Sequence, residues 1–150
     1  MQKFIIIGAF LGLFGMTAFS AYDHRVGWSA VPTAVWLIGD VLVVLGLTIG
    51  MLVVVQNSYA AATVRVEAGQ SLASSGLYRL VRHPMYAASV ILMIGIPLAL
   101  GSYWGLLFLI PGLLVLVLRI LDDEQLLTLE LGGYREYMQR VRYRLLPYVW

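Results

Sequence analysis

The chain has 150 residues, 61% hydrophobic and 12% charged, with a formal net charge of +2, whereas a soluble domain is about 45–50% apolar and about 25% charged. That balance excludes an ordinary soluble fold, and so small a charge, carried by dispersed cations, excludes a nucleic-acid surface. With no cysteine and only two well-separated histidines, His24 and His83, disulfides and thiolate metal centres are excluded and a zinc or di-iron cluster is not expected.

Crossing about 30 Å of hydrocarbon takes roughly 20 apolar residues in a helix. The composition therefore predicts one all-α integral membrane domain over residues 1–150 with about four transmembrane helices. The first span is 4–22. Lys3 ahead of it, and Ala18 and Ser20 near its end, also fit a signal peptide, but the run is long for one and further spans follow. The second span is 33–55, opened by Pro32, whose missing N–H costs nothing at a helix start. Gly8/Gly12 in the first span and Gly46/Gly50 in the second are small pairs of the kind that let helices approach. Asp40 is an acid inside the second span; it lies about 12 Å along the helix from Pro32, shallow enough to hydrate or to bond a neighbouring helix.

Residues 57–84 read as a polar linker. Within it "ATVRVEAG" alternates like a short strand and "GQSLASSG" reads as loop. Pro84 pushes His83 out of the α region, so the third helix is expected to start at Pro84 with His83 at its N-terminus. Unpaired N–H groups there, with Arg82 beside them, would receive an anion. On composition alone, the simpler expectation is that Arg79 and Arg82 meet lipid phosphates.

The third and fourth spans, 85–100 and 105–121, are joined by "GSYW". Each carries a proline, Pro97 and Pro111, which predicts kinking or tilt. Beyond them "RILDDEQLLTLELGG" puts Arg119 and Asp123 four residues apart on one helix face with Glu124 adjacent, and Gly132-Gly133 ends that helix. The segment 122–150 is expected to close the chain as an amphipathic C-terminal segment. In "YREYMQRVRYRLLPYVW", Tyr134, Tyr137 and Val141 fall at helical spacing, which predicts an interfacial helix with its aromatics at headgroup depth. Nine of the ten Lys and Arg fall on one side if four helices cross, Arg25 being the exception. The positive-inside rule makes that side cytoplasmic, together with both ends of the chain.

"SGLYRLVRHPMY" followed by "R…DE..L…LGGY..Y…V…LLP" resembles the integral membrane methyltransferases of the isoprenylcysteine carboxyl methyltransferase and phospholipid methyltransferase type. The resemblance runs from about Gln70 to Pro147. It implies a compact bundle of transmembrane helices closed by a cytoplasmic C-terminal segment, without a Rossmann domain, and S-adenosyl-L-methionine as cofactor. That cofactor presents a carboxylate, an ammonium, a ribose diol, an adenine and a sulfonium. Cations, acids and aromatic faces gathered at one membrane boundary match those groups.

Carried over by motif position, the resemblance places Tyr78, His83, Pro84, Met85 and Tyr86 in the cofactor pocket. Gln70, Leu72 and Ala73 would add loop contacts. Asp123 and Glu124 take the places of the family's paired acids, holding ammonium or ribose, and Asp123 stands where the family usually has Glu. Arg119 occupies the position facing the methyl acceptor, so Arg119 and Glu124 are the expected catalytic pair. The implied partners are the lipid bilayer and a lipophilic small-molecule acceptor, such as an isoprenylcysteine carboxylate or a phospholipid amine. Two other readings compete: an NADPH-dependent membrane reductase of related fold, which would need an arginine cluster for a 2′-phosphate, and a small transporter, for which Asp40 is the one midspan candidate.

Overall fold

The computed structural model describes residues 2–57 and 72–150, with side chains from residue 7 of the first helix onward. The described residues form helices and turns without strands: α1 (Gln2–Val26), α2 (Thr33–Gln56), α3 (Pro84–Ala99), α4 (Leu109–Glu130) and α5 (Tyr134–Arg140). Short 3₁₀ turns at Gly76–Arg79 and Trp104–Phe108 lead into α3 and α4. Two helical stretches, Thr33–Gln56 and Trp104–Glu130, are long and apolar enough to cross a membrane, whereas α3, at 16 residues, is shorter. The possible strand at "ATVRVEAG" lies outside the described residues.

α2 packs most extensively on α3. The seam repeats every seven residues: Gly39, Gly46 and Val53 are buried on α2, with Gly46 facing Ala88 and Leu92 and Gly39 facing Gly95 and the Leu98–Ala99 backbone. A seven-residue repeat keeps one stripe of each helix facing the other. Small residues let the backbones close in, which replaces hydrophobic driving force inside lipid. The expected four-residue pairs divide accordingly. Gly46 lies at the seam, where an added Cβ would come 2.7 Å from the Leu92 Cγ, while Gly50, Gly8 and Gly12 have open space around them. Gly39 is the tightest point: a Cβ there would overlap the Ala99 backbone nitrogen and sit 2.6 Å from the Leu98 carbonyl carbon. Backbone cannot rotate aside as a side chain can, so Gly39→Ala must push α2 off α3. The expected loss is about 1–3 kcal/mol, read as a lower thermal midpoint in detergent, with Gly50→Ala unchanged.

Pro97 sits near the end of α3, and that end closes by a Schellman turn. The Ser102 N–H donates to the Pro97 carbonyl at 2.9 Å and the Gly101 N–H to the Leu98 carbonyl at 3.0 Å. Gly101 has φ +69°, which a side chain disfavours. Pro111 falls in the first turn of α4, where a missing N–H breaks no bond.

Asp23, fully buried near the end of α1, ties the distal turns together. Its carboxylate accepts from Ser29 Oγ at 2.7 Å and from Ser102 Oγ. Ser29 Oγ accepts in turn from the Tyr103 N–H at 3.0 Å, and Ser102 Oγ from the Gly105 N–H at 2.9 Å. The α1–α2 loop is thereby fastened to the α3–α4 turn. Phe19, Trp28 and Trp104 line an open cleft beside this lock, the kind of aromatic girdle found where bilayer meets water. Asp40 is exposed on α2.

α4 runs on past the apolar span through the acidic run to Glu130, just ahead of Gly132-Gly133, where the helix was expected to end. The C-terminal segment differs from expectation. Its helix stops at Arg140. Tyr134 and Tyr137 do not face outward but are buried within the protein, 3% and 2% exposed, against Leu72, Tyr78, Leu127, Leu131 and Met138.

Candidate functional site

On α4 the residues Leu116, Arg119, Ile120, Asp123 and Glu124 are buried. Their i, i+3, i+4, i+7, i+8 spacing is a single helix face, apolar at first and charged further on. Opposite that charged part, Pro84 occupies the first turn of α3 and His83 its N-cap, with φ fixed by the proline ring. The chain after α5 then runs beside this N-cap. The Arg82 N–H donates to the Tyr143 carbonyl and the His83 N–H to the Arg144 carbonyl, both at 2.9 Å. Three segments distant in sequence meet here because one helix face is charged, one helix start leaves donors unpaired, and an extended segment supplies the acceptors.

Glu124 is the hub. Its Oε1 lies 3.1 Å from Arg82 Nη1 and 3.2 Å from His83 Nε2. Its Oε2 lies 2.9 Å from Arg144 Nη2 and accepts from Arg144 Nε at 3.0 Å. A carboxylate only accepts, which assigns a proton to His83 Nε2. Beside this hub, the Tyr86 hydroxyl donates to Asp123 Oδ2 and accepts from Arg119 Nε at 3.2 Å. Arg119 Nε also stands 3.4 Å from Asp123 Oδ1. The His83 and Tyr86 rings stack with centroids 5.6 Å apart and planes at 23°, joining the two groups. Arg82, His83, Arg119, Asp123 and Glu124 have side chains less than a tenth exposed, and Arg144 is 28% exposed. Three arginines against two carboxylates leave this end of the bundle with an excess of positive charge.

The structure thus joins His83, Tyr86, Arg119, Asp123 and Glu124 directly. Pro84 is buried beneath them and Met85 is half-buried, its carbonyl accepting from Ser89 Oγ at 3.1 Å. Leu72 and Tyr78 lie in the adjoining Tyr134–Tyr137–Val141 cluster, and Ala73 is half-buried nearby in sequence. Tyr78 accepts at its hydroxyl from Asn57 Nδ2 at 3.0 Å and at its carbonyl from the Tyr137 hydroxyl at 2.7 Å, so it fastens the end of α2 to α5. Gln70 lies outside the described residues.

Burial raises the phenol of Tyr78 above its ordinary range, partly offset by the Asn57 bond. Burial also raises Tyr134 and Tyr137, with the charge of Glu124 adding to the rise at Tyr134. All three stay neutral donors.

Arg82 is a correction to the sequence reading. It does not reach for lipid phosphate; its side chain is 8% exposed and paired with Glu124. Arg144 and Tyr134 were not among the expected site residues, and nothing local marks them. Among buried side chains, Arg82 Nε and the Tyr134 hydroxyl have no hydrogen-bond partner.

Comparison with known proteins gives two findings. The phospholipid methyltransferase family model matches residues 34–131. The Delta(14)-sterol reductase of Mus musculus is 32% identical over 91 residues, covering 59% of this chain. The chain spans less than a quarter of that relative, 22% of its length.

Proposed function

The chain belongs to the phospholipid methyltransferase family, and from that premise we propose that it transfers a methyl group from S-adenosyl-L-methionine to a lipophilic acceptor at the cytoplasmic face of the membrane. One observation carries this reading: the His83–Tyr86 pair of α3 and the Arg119–Asp123–Glu124 face of α4 meet in one buried polar cluster.

The cluster fits such a cofactor by its chemistry. Acids suited to an ammonium or a diol, arginines suited to a carboxylate and stacked aromatic rings suited to adenine stand side by side. Buried donors without partners remain for a ligand to satisfy. When bound, the cofactor supplies a sulfonium-activated methyl group for in-line displacement. The chain's part is to hold two reactants at attack distance and keep water away. His83, Pro84, Met85 and Tyr86 form the wall from α3, Asp123 and Glu124 the acidic side, and Gln70, Leu72, Ala73 and Tyr78 the approach from the linker. Arg119 directly follows the apolar run "LLVLVL" and faces an acceptor arriving through lipid, whether a phospholipid amine or an isoprenylcysteine carboxylate.

The proposed topology has four crossings with this cluster inside. Support comes from the alternation of ends: the Asp23 lock joins the end of α1 to the α3–α4 turn, while the charged cluster joins the start of α3 to the far part of α4. Nine of ten cations then share one side.

The identity to a sterol reductase favours a second reading, reduction with NADPH. The small fraction of that protein covered weighs against it, as does the engagement of Arg82 and Arg144 by Glu124.

Purified protein, titrated with each cofactor, separates the two. S-adenosylmethionine should bind saturably, and His83→Ala and Tyr86→Phe should each weaken it about 10-fold, the equivalent of one good hydrogen bond. Saturable binding of NADPH alone would replace this reading with the other. Lipid extract incubated with protein and deuteromethyl cofactor, then read by mass spectrometry, identifies the acceptor.

A further inference from the structure

The end of the bundle away from the charged cluster holds a buried charge without a counter-charge. Asp23 is 0% exposed, and among the described residues no Lys, Arg or His forms an ion pair with it. Its side-chain partners are two neutral hydroxyls, Ser29 Oγ at 2.7 Å and Ser102 Oγ. Such bonds hold the carboxylate in place but leave its negative charge whole, and a buried charge is ordinarily matched by one of opposite sign.

The walls of the neighbouring cleft are fastened to this acid. Phe19 lies four residues before it on the same face of α1. The Trp28 N–H donates to the Asp23 carbonyl at 3.3 Å. Trp104 stands between two residues tied to the serines of Asp23: the Tyr103 N–H donates to Ser29 Oγ at 3.0 Å and the Gly105 N–H to Ser102 Oγ at 2.9 Å. The cleft that these three rings line has a volume of about 420 Å³, within the range of about 300–1,000 Å³ usual for small-molecule sites. Trp28 and Trp104 remain half exposed, so their rings are open to a ligand.

Aromatic faces beside a negative charge select a cation, and an organic ammonium rather than a hard metal ion, which would need a full shell of oxygens. The surroundings match the rest of a lipid. Arg25, exposed at the same end of α1, suits a phosphate. From Phe19 the same helix face descends in four-residue steps through Gly15 to the exposed Leu11, a track for a hydrocarbon chain. We propose that the Phe19–Trp28–Trp104 cleft is a non-catalytic site for a zwitterionic phospholipid, its ammonium against the rings with Asp23 behind them and its phosphate toward Arg25. The site stands at the opposite end of the bundle from the cluster of α3 and α4 and is independent of the methyltransferase reading.

The test is native mass spectrometry of the full chain, released from detergent with two phospholipids of identical acyl chains, one with a choline and one with a glycerol headgroup. Wild type should retain the choline lipid about 10-fold more tightly, the worth of two cation–π contacts. Trp28→Leu and Trp104→Leu, both at partly exposed positions, should each lower that affinity about 3-fold and leave the glycerol lipid unchanged. Aromatics that only mark the water boundary would not split the two lipids. Asp23→Asn keeps the side-chain shape and removes the charge, and should erase most of the preference. Free choline at equal concentration should not displace the lipid, since it lacks phosphate and chain. Equal retention of both lipids by wild type, an undiminished preference in both tryptophan variants, or displacement by free choline overturns the proposal.

Discussion

Glu124→Gln is expected to destabilise the protein by about 2–4 kcal/mol, slightly under the range for breaking a buried ion pair because Arg144 is partly hydrated. The substitution keeps shape and volume but removes the charge that Arg82, His83 and Arg144 share. Arg82 and His83 are less than a tenth exposed, so they cannot simply turn to water. The segment after α5 should give way first. It is held to the bundle by the Arg144 side chain on Glu124, by the backbone bonds to Arg82 and His83 and by the Arg82 side chain on the Arg142 carbonyl. Arg144 also stacks over the Trp150 ring at 5.0 Å, and the Trp150 carbonyl accepts from the Arg144 N–H at 2.7 Å, so the final turn should loosen with it. Thermal unfolding followed by tryptophan fluorescence, together with trypsin cleavage at Arg142 and Arg144, reads both effects. Asp122→Asn, one turn face away and outside the network, is the matched control. A midpoint equal to wild type would mean that Glu124 does not hold the cluster together.

Arg119→Ala should give the complementary pattern: turnover reduced about 100-fold, with affinity for S-adenosylhomocysteine within about 2-fold of wild type, as when an interaction made only in the transition state is lost. Arg119 is buried at the seam between the apolar and charged parts of α4. Its guanidinium is fixed by Tyr86 and Asp123, and a group held that firmly has little reorganisation left when charge shifts on the acceptor. Arg119→Lys keeps the charge but not the planar fork, so its turnover should fall between the two. Kinetics with saturating lipid acceptor, paired with calorimetric titration of the ligand, checks this. A loss of ligand affinity as large as the loss of turnover would move Arg119 to the cofactor side.

The sequence announced some of these features and concealed others for identifiable reasons. Pro32 and Pro84 mark helix starts by ring geometry alone, so α2 and α3 begin where they were expected. Arg119, Asp123 and Glu124 share a face because spacing fixes it. The end of α4 was legible as well, because Gly132-Gly133 stands just past Glu130. Tyr134 and Tyr137 have the same 3/4 spacing whether they meet headgroups or a protein core; only Leu72 and Tyr78, more than fifty residues earlier, decide it. Arg82 and Arg144 meet across sixty-two positions through a carboxylate between them in sequence, a partnership without local trace. The seven-residue rhythm of Gly39, Gly46 and Val53 was readable, but the four-residue pairs beside it drew attention to open faces instead.

The Asp23 lock has a mechanical consequence. With the distal turns bolted together and the charged cluster clasping the start of α3 to α4, parting the helices at that cluster would pivot about the Asp23 end, like the arms of tweezers joined at the heel. At 1.5 Å per residue the 16 residues of α3 make an arm of about 24 Å. A tilt of roughly 5° at the heel therefore parts the tips by roughly 2 Å, about the half-width of a hydrocarbon tail, without disturbing a single bond at the joint.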